Sequence, residues 1–595
     1  MHYLLFFVTL FFSSSLASAQ EVDEAWLALG HYQKGESSID SPNFFLSEDG
    51  KTNPSAELQA TIELFQGNDT AKQCLFPARY LYLQKKGLVQ KAFPKCEEYD
   101  QFMADLQPKD VTLLFTDAYM NNPSSMFGHT LLRIDTKRKG TQMLAHGANY
   151  GAFTGEEGGA AYALKGLFGL YFGGFTVKPY YDIINTYNNI ENRDIWELTL
   201  NFSQAELDFM VAHLWEIGQT QSRYYFFSRN CSYMLLEMID AVKPQLKLAQ
   251  QFKAWVIPLD SFKLVARKEG LVKEINYRPS RQNKIKHRYK MMTDAQRKVY
   301  RKAIQAKDYH LSDDLPMAQK ADVWETAYQF VQYQWVAKKL ELKDYRQQSF
   351  DVLRARSGFK DKGSIAELSE GKNPIRAHES KRLVMGAGER NGEMFEKLEL
   401  RPAYQSLTDN DYGLIKGAQI NFLNQEWRYY NERDKLVLHE FDILNIRSIS
   451  PIDVMFKPTS FQLDLNVNRW QNPSDESEHY VGSFMVGGGG AFDFSENLCL
   501  FALVNNRLGY GGGIAHNSYG ALSLDLGFLF SWNNWRALFE IEPQIATQKN
   551  FQQIKYNGEI NYIITKDWSI ALGGEFIDAN GKNTQEYSLG LRYYF

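Results

Sequence analysis

With 595 residues, the chain has room for roughly three to five folding units of ordinary size, so a single small domain is excluded. Its 66 Lys and Arg against 70 Asp and Glu leave a net charge of -4, and hence no global basic field to hold nucleic acid. A hydrophobic fraction of 44% with 34 Tyr, 40 Phe, 11 Trp and 42 Gly rules out wholesale disorder and favours β architecture.

Residues 4–12 are apolar and lead through serines to the small-residue triplet Ala17-Ser18-Ala19 before Gln20. This is the pattern of a cleavable secretory leader over 1–19, although its n-region carries no Lys or Arg. No cysteine stands near the cleavage point, so nothing marks the chain as a lipoprotein. Further on, no apolar run reaches the roughly 18 residues of a membrane helix, which leaves membrane attachment to strands or to the surface. Residues 20–105 read as a helical, loop-rich segment whose first amphipathic helix covers 21–32. Within it Cys74 and Cys96 flank one compact stretch, and a disulfide closing that loop would stabilise by roughly 3 kcal/mol.

From Val111 the pattern changes to short strands over 111–116, 128–135 and 143–149, joined by a loop at 121–125 and a turn at 137–140. A glycine-rich stretch over 151–174 lacks phosphate-loop spacing and reads as a mobile flap facing the site. Ser203 with Glu206 makes a capping box that opens a helix to about Ile217. Asn230-Cys231 then precedes an amphipathic helix over 232–239. The Cys231 thiol thus stands at a helix N-terminus, where the dipole and free N–H groups lower a thiol pKa. These elements make 106–260 a small antiparallel sheet with a helix behind it, an α+β domain.

Between Lys263 and Lys302 there are 14 Lys and Arg against 3 acids, a basic face suited to solvent, anionic headgroups or peptidoglycan. Residues 294–340 read as helical and 354–380 as a polar linker, so that 261–380 forms a basic helical region and linker. From 381 the period becomes two. Phe461, Leu463, Leu465 and Val467 alternate with Gln462, Asp464 and Asn466; Leu522, Leu524 and Leu526 alternate with Ser523 and Asp525. About twelve such runs over 381–595, joined by short turns, describe an antiparallel outer-membrane β-barrel with both ends on the periplasmic side. Cys499, in an apolar strand-like run, reads as a small buried hydrophobe.

A helix-start thiol needs a base, and His129 on the second strand of the same domain is the candidate, because imidazole can take the thiol proton and later return it. A third polar group should fix the ring. His146 and Asn149 on the next strand both come within range, and as they differ by three positions only one can face the site; the residues alone do not choose. No His-x-x-x-His or paired cysteine spacing surrounds them, so neither a metal nor another cofactor is implied.

The segments from Ser125 through Phe127-Gly128-His129-Thr130 to Asp135, Ala148-Asn149-Tyr150, Leu164 to Tyr171, Glu191-Asn192-Arg193-Asp194-Ile195-Trp196-Glu197, and Tyr224 through Arg229-Asn230-Cys231 to Tyr233 resemble, in that order, the Lnb N-terminal periplasmic domain family. Cys74-Leu75-Phe76-Pro77-Ala78-Arg79-Tyr80 is similar to that family's opening segment, so the likeness covers roughly 20–250. Lnb proteins are bacterial lipoprotein N-acyltransferases. The resemblance implies that Cys231 is the nucleophile that takes up the acyl group, His129 the base, and Asn149 rather than His146 the orienting residue. The order of His, polar residue and Asn-Cys is also similar to the permuted papain-like fold of the lecithin retinol acyltransferase group. One departure is plain: Lnb enzymes follow this domain with transmembrane helices, whereas here a barrel is expected.

The expectation is a periplasm-facing cysteine acyltransferase or lipid deacylase, anchored in the outer membrane. It would act on phospholipid or lipoprotein acyl groups through a Cys231 thioester, with the oxyanion on backbone N–H groups at the helix start. The alternatives are a papain-like peptidoglycan peptidase and a non-catalytic binding or pore protein. Phe127, Phe168, Phe226 and Phe227 near the site suit acyl chains better than a polar groove.

Overall fold

The computed structural model describes residues 22–118, 120, 126–138, 142–155, 165–309, 314–471, 477–579 and 581–595. The expected leader over 1–19, the 121–125 loop and the middle of the glycine-rich stretch lie outside the described residues.

The N-terminal segment contributes α1 (Glu24–Leu29), α2 (Pro54–Gln66), α3 (Pro77–Lys85) and α4 (Glu97–Leu106). Asp23 and Asn53 cap α1 and α2 by accepting bonds from Trp26 N and Ala56 N. The first helix covers only part of the expected 21–32. Gly30 ends it, and Tyr32–Gln33 turns back to pair with Glu36–Ser37. Cys74 and Cys96 form a disulfide with a Cα–Cα distance of 5.5 Å, which ties the residues before α3 to the start of α4.

The middle of the chain builds one seven-stranded antiparallel sheet. Its elements are β1 (Pro108–Thr116), β2 (His129–Thr136), β3 (His146–Ala152), β4 (Tyr171–Pro179), β5 (Ile195–Leu200), α5 (Gln204–Ile217), β6 (Ser222–Tyr224), α6 (Cys231–Val242), α7 (Pro258–Arg267) and β7 (Val272–Arg278). The strand order is β6-β4-β3-β2-β1-β5-β7. Pattern alone marked three of these strands. The others escape because β5 is buried along its whole length and shows no alternation, while β4 contains the Gly173-Gly174 pair. The Ser203–Glu206 capping box is present at the start of α5.

Four helices follow: α8 (Arg281–Met291), α9 (Asp294–Ala306), α10 (Met317–Val336) and α11 (Leu342–Ser357). Their core joins Ile285, Tyr300, Trp324 and Phe330 to Met455 and Phe456 of a barrel loop. Much of the basic stretch is consumed internally. Arg288 pairs with Asp322 at 3.2 Å, Arg278 with Glu197 at 3.2 Å, and Lys290 with Glu496 of a barrel turn at 2.8 Å. The polar segment after α11 is pinned as well: buried Asp322 accepts the amides of Ser364 and Ile365, and the Lys263 ammonium donates to the His378 carbonyl at 2.6 Å.

The remainder is β8 (Arg382–Arg390), β9 (Glu393–Arg401), β10 (Ala418–Tyr430), β11 (Lys435–Ser448), β12 (Ser460–Gln471), β13 (Glu478–Asp493), β14 (Leu498–Gly511), β15 (Ser518–Trp532), β16 (Trp535–Ala546), β17 (Gln553–Ile563), β18 (Trp568–Ala579) and β19 (Lys582–Tyr594). Each pairs antiparallel with the next, and β8 pairs with β19 from Arg382↔Tyr594 to Arg390↔Glu586, closing a twelve-stranded barrel. The short strand Ala403–Gln405 extends β9 against β10. Burial is inverted relative to a soluble sandwich: Gln462, Asp464, Asn466, Ser523 and Asp525 are buried, while Leu465, Leu522, Leu524 and Leu526 are exposed. Trp532, Trp535, Tyr562, Trp568, Tyr593 and Phe595 make an aromatic girdle at the end where the chain enters and leaves.

The lumen holds a polar cavity of ≈ 510 Å³, crossed by ion pairs such as Arg428–Glu586 at 2.7 Å and Arg447–Glu540 at 2.6 Å. Its periplasmic mouth is filled by the loop after Gln405. There Asp409 accepts from Arg401 at 2.6 Å, Arg382 at 2.9 Å and the Tyr594 hydroxyl at 2.7 Å.

Candidate functional site

The site is built where α6 begins against β2 and β3. Asn230 is the N-cap of α6, and its Oδ1 accepts from the Ser232 and Tyr233 amides at 3.0 and 3.2 Å. Its Nδ2 donates to the carbonyls of Phe226 and Val256, at 3.0 and 2.9 Å. The cap therefore both starts the helix and fixes the preceding loop, so Cys231 enters the first turn in a defined position. This alters one expectation. Two of the helix-start N–H groups foreseen for an oxyanion are used by Asn230, and the Cys231 amide is the one that the cap leaves.

His129 and Cys231 are in buried contact, with 9% and 3% of their surface exposed. Nε2 of His129 is engaged by Asn149 Oδ1 at 2.6 Å. Burial alone would raise the Cys231 pKa. The charge of His129 and its hydrogen bond, helped by Thr130, overcome this and bring the thiol from 9.0 down to about 6. On His129, burial acts downward and the Cys231 charge and hydrogen bond act upward; the net direction is up. The arrangement favours a thiolate beside an imidazolium.

Asn149 and His146 separate as strand geometry requires. Asn149 turns to His129, whereas His146 lies opposite Ile134, five positions along β2 from His129. His146 has its pKa lowered, first by burial and then by Arg138, and its Nδ1 is buried with no hydrogen-bond partner among the described residues. It is not part of the His129–Cys231 cluster.

Several neighbours were not singled out from the sequence. Thr130 Oγ1 approaches Cys231 Sγ at 3.8 Å and Ser232 Oγ at 2.9 Å. The Tyr187 ring lies 5.6 Å from the His129 ring. Arg193 backs Tyr187 with its guanidinium 5.1 Å from the ring centre, donates to the Asp117 carbonyl at 2.6 Å, and pairs with Glu191 at 2.9 Å. Thr130 and Arg193 lie inside segments that carry the family resemblance but had no role assigned to them; Tyr187 lies outside those segments and carried no signal.

The site leans on the barrel. Phe227 stacks on Phe422 with ring centres 4.0 Å apart, and Phe127 meets Tyr404 edge-on at 5.8 Å. Phe422 projects outward from β10, alternating with Asn421, which lines the lumen. One apolar core runs from the sheet through Tyr404, Ile420 and Ile446 of the barrel wall.

Fold and site together define an outer-membrane-type β-barrel protein that carries an α+β domain with a buried cysteine–histidine contact. Residues 98–268 match the Lnb N-terminal periplasmic domain family. The chain thus joins an Lnb N-terminal periplasmic domain to a C-terminal outer-membrane barrel, the first in the periplasm and the second in the outer membrane. Residues 20–86, 275–368 and 371–594 match three separate families described only as domains of unknown function. The Lnb match therefore begins after the Cys74 segment that the sequence reading had included.

Among solved structures, the barrel is similar to the KdgM porin in complex with disordered oligogalacturonate, at 10% identity over 36% of this chain and 99% of that one, with a TM-score of 0.23. It is similar also to the β domain of the Bordetella autotransporter BrkA, at 10% identity over 37% and 100%, TM-score 0.21. A third likeness is to the transport unit of the autotransporter AIDA-I from Escherichia coli, at 10% identity over 36% and 90%, TM-score 0.23. No curated protein matches the chain.

Proposed function

We propose that the periplasmic domain is a permuted papain-like cysteine acyltransferase that works through a thioester on Cys231. The observation that carries this reading is the chain of contacts from the helix-start thiol to His129 and on to Asn149 at 2.6 Å. In the first half-reaction the Cys231 thiolate attacks the carbonyl carbon of a phospholipid or lipoprotein ester. The C–S bond forms, the C–O bond breaks, and the leaving alcohol takes the proton from the His129 imidazolium. In the second half, an amine attacks the thioester. The C–N bond forms, the C–S bond breaks, and His129 receives the amine proton while the thiolate is restored. Water in place of the amine makes the same site a lipid deacylase.

With the Ser232 and Tyr233 amides taken by Asn230, the Cys231 amide is the helix-start donor assigned to the developing oxyanion. Asn149 acts by holding the ring with one nitrogen toward sulfur, a positioning role. The apolar surroundings, with Phe127, Phe226 and Phe227 packed around the loop before Cys231, favour an acyl chain over a peptidoglycan stem. Mass spectrometry of the intact protein after incubation with phospholipid tests the reading. An acyl adduct on Cys231, absent in Cys231→Ala, is expected; full lipid turnover by Cys231→Ala would overturn it.

A further inference from the structure

The helical turn that leads into β4 presents an unusual surface. Phe168 and Leu170 are 69% and 61% exposed, and Phe153, Leu167 and Phe172 beside them 49%, 37% and 48%. This cluster is not a loose loop. The Leu170 amide donates to the Lys165 carbonyl at 2.9 Å, the Phe226 amide to the Gly166 carbonyl at 3.0 Å, and the Phe153 amide to the Phe172 carbonyl at 2.8 Å. A Cβ on Gly166 would fall 2.2 Å from the Phe226 ring, and one on Gly169, whose φ is +66°, 2.2 Å from the Tyr225 ring. The two glycines let the backbone of this turn lie close against Tyr225 and Phe226, which leaves its large side chains on the outer side. A contiguous apolar patch held in this way marks an interaction surface.

What covers it is indicated by its neighbours. Phe226, on which the turn rests, is followed by Phe227, which stacks on the outward-facing Phe422 of the barrel. The Phe227 carbonyl accepts from Val256 at 2.8 Å. Next to Val256, the Trp255 ring lies 5.5 Å from the Lys381 ammonium, which is itself 5.8 Å from the ring of the girdle residue Phe595. The turn is thus linked through Phe226 and Phe227, and through Val256 and Trp255, to the part of the domain that meets the periplasmic aromatic girdle, the level at which a barrel wall enters the lipid. Arg223, opposite Phe172 in register and exposed, adds a cation suited to phosphate headgroups.

We propose that Phe153, Leu167, Phe168, Leu170 and Phe172 form a second membrane contact, inserted in the periplasmic leaflet of the bilayer that holds the barrel. Lipid acyl chains then reach the Cys231 site sideways from that leaflet. The lipid contact stands on the surface alone; only the delivery to Cys231 rests on the acyl-transfer reading.

The test uses the full chain in vesicles of phosphatidylethanolamine and phosphatidylglycerol. Phe168→Cys, in a Cys231→Ser, Cys499→Ser background, is labelled with a nitrobenzoxadiazole fluorophore, and Gln101→Cys on exposed α4 serves as reference. Insertion predicts blue-shifted emission at 168, quenched by lipids that carry a nitroxide near the headgroup, with water-like, unquenched emission at 101. Adding Leu170→Asp and Phe172→Asp should return position 168 to water-like emission while the barrel keeps its heat-dependent gel migration. Water-like emission at 168 in the parent protein, or quenching that survives the two aspartates, overturns the proposal. The probe works without the catalytic thiol. An inserted patch with no acyl adduct on native Cys231 would therefore refute the transfer chemistry and leave the membrane contact standing.

Discussion

Replacing His129 by alanine isolates what the histidine does to the thiol. With His129 present, the Cys231 pKa is about 6, so about nine-tenths of the thiol is ionised at pH 7. Without it, burial, the largest influence and an upward one, is opposed only by the Thr130 hydrogen bonds, and the pKa should return to 9.0 or above. The thiolate fraction at pH 7 would then be about one-hundredth or less, which corresponds to roughly 4 kcal/mol of lost preference for the charged form. Alkylation by iodoacetamide in a Cys499→Ser background measures this directly, since Cys74 and Cys96 are bonded to each other. The parent rate should climb through about pH 6 and level off. The His129→Ala rate should be lower by on the order of 100-fold at pH 7 and still be rising at pH 9. An unchanged midpoint in His129→Ala would show that the helix N-terminus and Thr130 depress the thiol unaided, and would remove His129 from the role of base.

The other expectations are more local. Asn149→Ala should lower kcat for acyl release from a labelled phospholipid by about 10²-fold or less, because the ring loses its orientation but keeps its proton chemistry, whereas His146→Ala should match the parent; equal losses in the two variants would reverse the assignment. Cys74→Ser with Cys96→Ser should destabilise the N-terminal domain by about 3 kcal/mol, from the 22-residue separation, read by near-UV circular dichroism during guanidinium unfolding. Asp409→Ala leaves Arg382 and Arg401 without their shared carboxylate, and should cost the barrel roughly 3–5 kcal/mol, seen as a lower temperature for loss of its heat-dependent gel migration.

Much of this architecture is written in local pattern. Alternation of Leu522, Leu524 and Leu526 with Ser523 and Asp525 marks a barrel strand because the period is that of a two-sided surface, and the polarity of each side needs no knowledge of the neighbouring strands. The Ser203–Glu206 box and the Asn230 cap are equally local, since each bond spans two or three residues. The disulfide was legible for a related reason: its two cysteines bracket one short loop.

The choice between Asn149 and His146 depended instead on the register of β3 against β2, which sets a strand's face through its partners. Strands β4 and β5 needed the assembled sheet, because a glycine pair and a fully buried run carry no alternation of their own. Seating the domain on the outer wall of the barrel joins Phe227 to Phe422 across nearly two hundred positions of chain, and no periodicity records such a contact. The sequence by itself determined which residues could be strand, cap or nucleophile, because those preferences are set within a few bonds. Only the tertiary structure decided which neighbour meets the His129 ring and which face of the domain packs against the barrel wall, because both are set by packing between distant segments.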